Sequence, residues 1–441
     1  MIKKYTLTVL VLSISIMSLN AQNNSDVKYR RSSLAMILVE SDDFPYKETV
    51  MQSWKNYPFP DKYDQQVVPL KTFSRIDEPV ELDKVAKTVA GILGMEQAKF
   101  AEFYKMAKLS DKKYREKNQI LMREKIEQNF NEQRLGNQLV RTWFTSPDGK
   151  MFDMSLIQKR GFYDATELEA GLAKSGIRGT AALADAGEEL IKNTFVTVTS
   201  LNFFENEPIA KISQQIAYLA ATVDPTGAAK SAADIAYNET KNGYSILSRT
   251  FLYKLAWNDS IASEFYNVWG NEEAFSKMDF QLEFVGVQYN KSAVIKPGEG
   301  SIGALFTPKK TYTQEQLIDI VFNRNIDDVF AKLQKENDVF KPKFPIITSE
   351  PLTAQIGMKE GLSGGEKFDI LEMTLDPETG RTKWVKVGTT VADKKLVWDN
   401  RYNAGDEPEN PTLGKDGQPI KATNFKKNAK TQPGMLLKQA K

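Results

Sequence analysis

Alternation of apolar and polar residues marks the predicted strands of the chain. Thr194–Leu201 alternates and is rich in β-branched residues, and Tyr244–Trp257 places leucine and aromatic side chains at alternate positions. Phe280–Val285 repeats this pattern, and Val27–Glu40 contains an apolar run beside two arginines. Because successive side chains of a strand point to opposite faces, a period of two predicts strands at the three alternating segments, and the apolar run predicts a first strand within Val27–Glu40.

Helical spacing of apolar residues is the second pattern. It occurs in Val80–Lys108, Asp111–Trp143, Thr180–Lys192, Ile209–Thr222, Ala228–Thr240 and Asp259–Trp269. The sequence Thr313-Gln314-Glu315-Gln316 matches a capping box, which predicts that another helix begins there. Ser146-Pro147-Asp148-Gly149 has the residues of a type I turn, and we expect short strands on either side of it, at 140–145 and 150–157.

Beyond Pro342 and Pro345 the pattern changes to short strands. They are predicted at Ile346–Thr348, Leu352–Ile356, Lys367–Met373, Lys383–Thr390 and Lys395–Trp398, and Met435-Leu436-Leu437 is expected to return as a closing strand. The whole chain is thus predicted to be α+β and multidomain. We expect a mostly helical N-terminal region with a few strands at 22–157, an α/β domain at 158–340, and a small β-barrel with a long basic loop or tail at 345–441.

The N-terminus has the features of a secretory signal peptide. Lys3 and Lys4 precede an apolar segment, Leu7–Leu19, and Ala21 provides a small residue before the expected cleavage at Gln22. The alternative is a membrane anchor, but this segment is shorter than the roughly 20 apolar residues that span a bilayer. We therefore expect export to the periplasm, the outer membrane or the extracellular space, with no transmembrane span in the mature chain.

Composition removes several classes of chemistry. The 441 residues include no cysteine and no histidine, which excludes disulfides, Cys- or His-ligated metals, thiol catalysis and Ser-His-Asp triads. Lys and Arg number 59 and Asp and Glu 57, and removal of Lys3 and Lys4 with the leader would balance the charges. A neutral chain has no overall electrostatic field that attracts nucleic acid, so we expect no nucleic-acid partner. We also expect no cofactor.

Two glycine-rich motifs resemble nucleotide-binding loops. Gly298-Glu299-Gly300-Ser301-Ile302-Gly303 matches G-x-G-x-x-G, but Pro308 follows too soon for the helix that would hold a pyrophosphate. Leu362-Ser363-Gly364-Gly365-Glu366 is similar to the signature loop of ABC-type ATPases, yet the chain has no Walker A sequence. We expect a loop at the first motif and a turn with positive φ angles at the second.

Carboxylates and aromatic residues are the remaining candidates for a site. Hydrolysis by two acids needs neither His nor Cys, and the candidate clusters are Asp42-Asp43, Asp327-Asp328 and Asp406-Glu407-Glu409. The first two clusters could also bind calcium, which takes oxygen ligands, although no EF-hand spacing is present. Surface solvation is the alternative for all three, and adjacent helical acids such as the second pair should point to different sides. Carbohydrate stacking and packing of a loop onto the core are both open for four aromatic residues, Trp54, Tyr57, Phe59 and Tyr63. Trp384 and Trp398 are expected in barrel strands.

The segment Glu360–Glu372 resembles a small barrel module of secreted and envelope proteins. It consists of a Gly-Leu pair, a glycine-rich turn, Lys-Phe and an apolar strand. With the second strand ending at Val387-Gly388, it is similar to the SH3-like C-terminal domains of flagellar-assembly and curli-associated envelope proteins. The resemblance covers residues 345–400 at most and implies assembly or binding, with no catalytic residues to transfer. The sequence therefore favours an exported, non-enzymatic envelope or surface protein with a protein partner; the alternatives are a secreted carboxylate-dependent hydrolase and a carbohydrate-binding protein.

Overall fold

A computed structural model gives the fold. It describes residues 30–40, 46–68, 70, 72–73, 80–157, 181–295, 312–375, 382–401 and 411–440. The helices are α1 Lys47–Asn56, α2 Lys84–Ile92, α3 Gln97–Ser110, α4 Lys112–Gln133, α5 Leu135–Trp143, α6 Ala181–Lys192, α7 Asn206–Ala220, α8 Ala228–Thr240, α9 Asp259–Asn267, α10 Glu272–Lys277 and α11 Gln314–Glu336. The strands are β1 Ser33–Val39, β2 Asp64–Gln65, β3 Thr72–Phe73, β4 Thr194–Glu205, β5 Gly243–Leu255, β6 Leu282–Ile295, β7 Lys343–Ser349, β8 Leu352–Ala354, β9 Lys367–Leu375, β10 Thr382–Val391, β11 Thr423–Phe425 and β12 Leu436–Gln439.

The first sheet is mixed and has the order β2-β1-β4-β5-β6, with β3 also pairing with β1. Strand β1 runs parallel to β2, β3 and β4, whereas β4, β5 and β6 are antiparallel neighbours. The register of β1 on β4 runs from Ser33 opposite Thr194 to Val39 opposite Ser200. Strands from segments 33–73 and 194–295 therefore share one sheet.

Helices cover both faces of this sheet. Leu34 and Leu38 of β1 face one way and join the core formed with α1 and α11, while Ala35 and Ile37 face the other way and pack with α4 and α5. Burial on both faces explains why β4 and β5 are enclosed along nearly their whole length. The capping box at Thr313 starts α11 as the sequence predicts, which places this long helix across the first face.

The second sheet has the order β10-β9-β12-β7-β8-β11, with antiparallel pairing throughout. The predicted return of the chain near Met435 is confirmed, because β12 lies between β9 and β7. One isolated bridge, Ala392 to Phe425, links β11 to the residue that follows β10. Strand pairing among the described residues does not close this sheet into a barrel.

The predicted α+β composition is confirmed, but three local predictions of strands are wrong. Residues 140–145 were expected to form a strand, yet α5 continues to Trp143 because Leu139, Val140 and Trp143 are buried on one helical face. At 150–157 the structure has one bridge, Thr145 to Met151, and residues 155–157 are helical. The expected strand at Lys395–Trp398 is likewise reduced to an isolated bridge from Trp398 to Gly357.

Membrane insertion was checked on the helices of the described ranges. None of them is both long enough and apolar enough to cross a bilayer.

Candidate functional site

One cavity among the described residues lies where β1 ends. Its volume is about 620 Å³, and we call it the aromatic cavity. Its walls come from the end of β1, from α1 and the turn after it, and from the β2–β3 region; the lining residues are Met36, Glu40, Met51, Trp54, Lys55, Tyr57, Phe59, Gln65, Gln66, Val67, Val68 and Thr72. Ligands of sheets with parallel strands commonly bind beyond the carboxyl ends of those strands, near the point where the strand order reverses.

Packing against α11 holds the aromatic wall in place. The rings of Trp54 and Tyr57 both meet Phe322 edge-on, with centroids 6.3 and 6.5 Å from it. Trp54 and Phe59 are only partly buried, so parts of their rings remain available in the cavity. Three of the four aromatic residues that the sequence singled out thus line one cavity.

The fourth, Tyr63, belongs to the core. It is 1% exposed and stacks on Phe340 at 4.8 Å. Its hydroxyl donates to the carbonyl oxygen of Phe340 at 2.8 Å and accepts from Gln334 at 3.1 Å. Tyr63 therefore follows the core-packing interpretation and offers nothing to a ligand.

Polar groups complete the lining. Glu40 is half-buried, and Lys55 and Gln65 are exposed. Gln66 is buried; its Nε2 donates to the carbonyl oxygen of Leu139 at 3.4 Å, and its Oε1 has no hydrogen-bond partner among the described residues. A buried acceptor left unpaired costs about 1–3 kcal/mol, which a donor on a ligand would offset if it reached this oxygen.

A row of buried and half-buried polar side chains connects the cavity to the second sheet. We call it the polar seam, and it consists of Tyr57, Asp327, Lys359, Glu360 and Asn400. The Tyr57 hydroxyl donates to Asp327 Oδ1 at 2.6 Å, and Lys359 Nζ lies 3.6 Å from the same oxygen. Lys359 and Glu360 belong to a 3-10 helix, Met358–Glu360, that packs on α11. Glu360 Oε2 accepts from the amide of Gly357 at 2.8 Å and from Asn400 Nδ2 at 2.9 Å.

Burial controls the protonation of these carboxyl groups. Desolvation raises the pKa of Asp327, and the Lys359 ammonium and the Tyr57 hydroxyl only partly oppose it. Desolvation also raises the pKa of Glu360, against the influence of Lys62 and of the Asn400 hydrogen bond. Burial and the nearby Asp327 carboxylate raise the pKa of Tyr57 well above its usual value, so this hydroxyl stays a donor at physiological pH.

The acidic pair on α11 points to different sides, as expected. Asp327 faces the polar seam, whereas Asp328 Oδ2 lies near Asn290 Nδ2 at 3.3 Å and Ser292 Oγ at 3.4 Å. The clusters Asp42-Asp43 and Asp406-Glu407-Glu409 lie outside the described residues. Within the described ranges no group of three or more acidic side chains is arranged to hold a metal ion.

The second glycine motif forms a structural turn. Gly364 and Gly365 have φ angles of 98° and 99°, the left-handed region that favours glycine, and the Glu366 carboxylate accepts from the amides of Ser363 and Gly364 at 2.9 Å. The Glu366 side chain is thus used within its own loop. The first motif, Gly298–Gly303, lies outside the described residues.

Sequence reasoning missed the polar seam, since Lys359, Glu360 and Asn400 look like ordinary surface residues in the sequence. Only their partial or complete burial in the fold distinguishes them, and burial of a polar residue leaves no mark in hydropathy patterns. Comparison adds no second source of assignment, because no protein-family model matches the chain and no curated protein matches it significantly.

Proposed function

We propose that the protein is an exported, non-enzymatic binding protein of the cell envelope or cell surface, and that the aromatic cavity binds a saccharide. The observation that carries this proposal is the position of Trp54, Tyr57 and Phe59 around one cavity of about 620 Å³. Small-molecule sites usually have volumes of about 300–1,000 Å³ and combine apolar walls with a few polar groups.

The chemistry of the lining fits a neutral polyhydroxylated ligand. An aromatic face carries partial negative charge and attracts the C–H groups of a sugar ring. Glu40 and Gln65 supply acceptors, and Lys55 supplies a donor, which suits hydroxyl groups that both donate and accept. One acidic and one basic residue in the lining leave the cavity without a dominant charge, so no charged ligand is favoured.

Other parts of the proposal rest on the sequence. Export follows from the signal-peptide features that end at Ala21, with Gln22 as the first residue of the mature chain. The SH3-like resemblance of residues 345–400 supports an assembly role with a protein partner. The boundaries between regions 22–157, 158–340 and 345–441 belong to the proposal as well, although strands of the first two regions share the first sheet.

The test is saccharide binding to the purified protein. A glycan array would identify a ligand, and calorimetry would compare the parent protein with Trp54→Ala. Loss of one stacking ring corresponds to roughly a threefold to tenfold drop in affinity. Trp269→Ala removes a tryptophan that packs with Phe144 and Phe265, away from the cavity, and should leave saccharide affinity unchanged. An array without any bound glycan, or equal affinities in all three proteins, would refute the proposal.

One observation favours a carboxylate-dependent hydrolase as the second candidate. Asp327, whose pKa is raised, receives a hydrogen bond from Tyr57 of the cavity wall. A raised pKa is the property of a general acid in glycoside cleavage. If the bound saccharide is also cleaved, and Asp327→Asn abolishes cleavage while the glycan still binds, this second function replaces the first.

A further inference from the structure

A second cavity lies between α7, α8 and the ends of β5 and β6 that pair near Ser245 and Ala293. Its volume is about 300 Å³, and we call it the alanine cavity. The apolar part of its lining consists mainly of small side chains: Met106, Ile209, Ala210, Ala217, Ala233, Ala236 and Ala293. The methyl groups of alanine leave space that larger residues at the same helical positions would fill.

The neutral polar groups of this cavity are mostly engaged within the protein. Ser245 Oγ donates to Asn206 Oδ1 at 2.7 Å, and both residues are buried. Gln214 Oε1 accepts from Lys211 at 3.1 Å, and Gln214 Nε2 donates to Asp234 at 2.5 Å. These groups fix the shape of the cavity and leave its recognition chemistry to the charged residues.

Basic residues dominate the charge around the alanine cavity. Lys291 lines it from β6, no lining residue is acidic, and Lys291 forms no ion pair with any described residue. Lys211 Nζ and Lys241 Nζ lie 5.1 and 5.0 Å from the centre of the Tyr237 ring, which also lines the cavity.

The nearby carboxylates are already directed at protein donors. Glu207 accepts from the Tyr237 hydroxyl at 3.1 Å, and Asp234 accepts from Gln214 and from the Tyr218 hydroxyl. Neither carboxylate belongs to the lining, so Lys291 is the charge that a bound molecule would meet.

We propose that the alanine cavity is a second binding site, for a small organic anion with a carboxylate on a compact apolar body. The carboxylate pairs with Lys291, and the apolar body packs between the alanines of α7 and α8. This site differs from the aromatic cavity in charge and in lining: its lining has one positive charge and no acidic residue, and it contains no tryptophan. The proposal therefore does not depend on saccharide binding.

The probe is hexanoate, titrated into the purified protein by calorimetry. Hexanol has the same apolar body without the charge, and hexylammonium carries the opposite charge. We expect hexanoate to bind, hexanol to bind up to about fivefold more weakly because it cannot form the ion pair with Lys291, and hexylammonium to bind more weakly still.

Two exposed positions provide the variants. Lys291→Gln should weaken hexanoate to the level of hexanol and leave hexanol unchanged, whereas Ala236→Leu should fill the cavity and remove the binding of both. Trp54→Ala, in the other cavity, is the control and should bind hexanoate as the parent does. If Ala236→Leu proves unstable, Lys291→Gln still decides, because it removes a charge without adding volume.

The proposal is overturned if hexanoate gives no saturable binding. It is also overturned if hexanol binds as well as hexanoate, or if either Lys291→Gln or a folded Ala236→Leu binds hexanoate as the parent does, since binding would then be non-specific or lie elsewhere.

Discussion

Replacement of Lys359 by methionine would test the polar seam most directly. The change keeps the length and apolar stem of the side chain and removes the charge that faces Asp327 at 3.6 Å. The Asp327 side chain is 6% exposed, so its carboxylate would be left buried with one remaining donor among the described residues, the Tyr57 hydroxyl. Breaking a buried pair on one side costs about 3–5 kcal/mol. We expect the low end, about 3 kcal/mol, because Lys359 is 19% exposed and solvent screens the pair in part.

Denaturant unfolding of matched variants measures this cost. Lys386→Met makes the same chemical change in a more exposed pair, where Lys386 Nζ lies 2.6 Å from Asp369 and the lysine and aspartate side chains are 54% and 24% exposed. Exposed pairs contribute about 0–1 kcal/mol, so this control should lose little stability. Adding Asp327→Asn to Lys359→Met removes the unpaired charge and should restore most of the loss.

The pH dependence gives the sign of the effect. A carboxyl group whose pKa is raised in the folded state contributes a stabilising free energy below the pKa of the unfolded state, which is about 3.9 for Asp. This contribution is lost as the pH rises through the pKa of the folded state. Without Lys359 the pKa of Asp327 rises further, so the cost of Lys359→Met should be large at neutral pH and shrink as the pH falls into the acid range. Equal losses in Lys359→Met and Lys386→Met, or a loss that does not change with pH, would refute this account of the seam.

Two further variants test other parts of the fold. Phe265→Ala removes a fully buried ring whose centroid is 4.4 Å from that of Phe144, and it should lower the free energy of unfolding by about 3–5 kcal/mol. Trp269→Ala, at a position 37% exposed, should lower it by less. The reverse order would contradict the assignment of this core. Glu360→Gln keeps an oxygen that accepts from the Gly357 amide, but its side chain cannot ionise. Because burial raises the pKa of Glu360, the stability of the variant relative to the parent should increase from acid to neutral pH. Parallel curves of stability against pH would exclude a cost of ionisation at this position.

Local patterns predicted most of the first sheet. The alternation in Thr194–Leu201 and Tyr244–Trp257 identified β4 and β5, and Thr313 identified the start of α11. These features are visible in sequence because they depend on side-chain period and on a backbone cap within a few residues. The aromatic residues of the early segment were also identified, although the sequence could not choose between core and cavity for each of them.

Long-range pairing was not visible in the sequence. Strand β1 joins β4 across a separation that no local pattern encodes, and this pairing makes segments expected to be separate share one core. The wrong prediction at 140–145 has a tertiary cause. Val140 and Trp143 have side chains that are common in strands, but burial of α5 against Phe265 and its neighbours favours a helix. Tertiary packing overrides such propensities.

Tyr57 links the two features on which the functional proposal depends. Its ring lines the aromatic cavity, and its hydroxyl is part of the polar seam. Lys359→Met leaves the hydrogen bond from Tyr57 to Asp327 and the contact of Tyr57 with Phe322 in place, so the wall of the cavity should keep its shape although the protein is less stable. Saccharide affinity equal to that of the parent, measured at a pH and temperature where the variant remains folded, would show that packing against α11 alone holds the site. A loss of affinity in parallel with stability would mean that the contact between α11 and the second sheet helps to shape the cavity, so that whatever binds the second sheet could alter saccharide binding through Lys359.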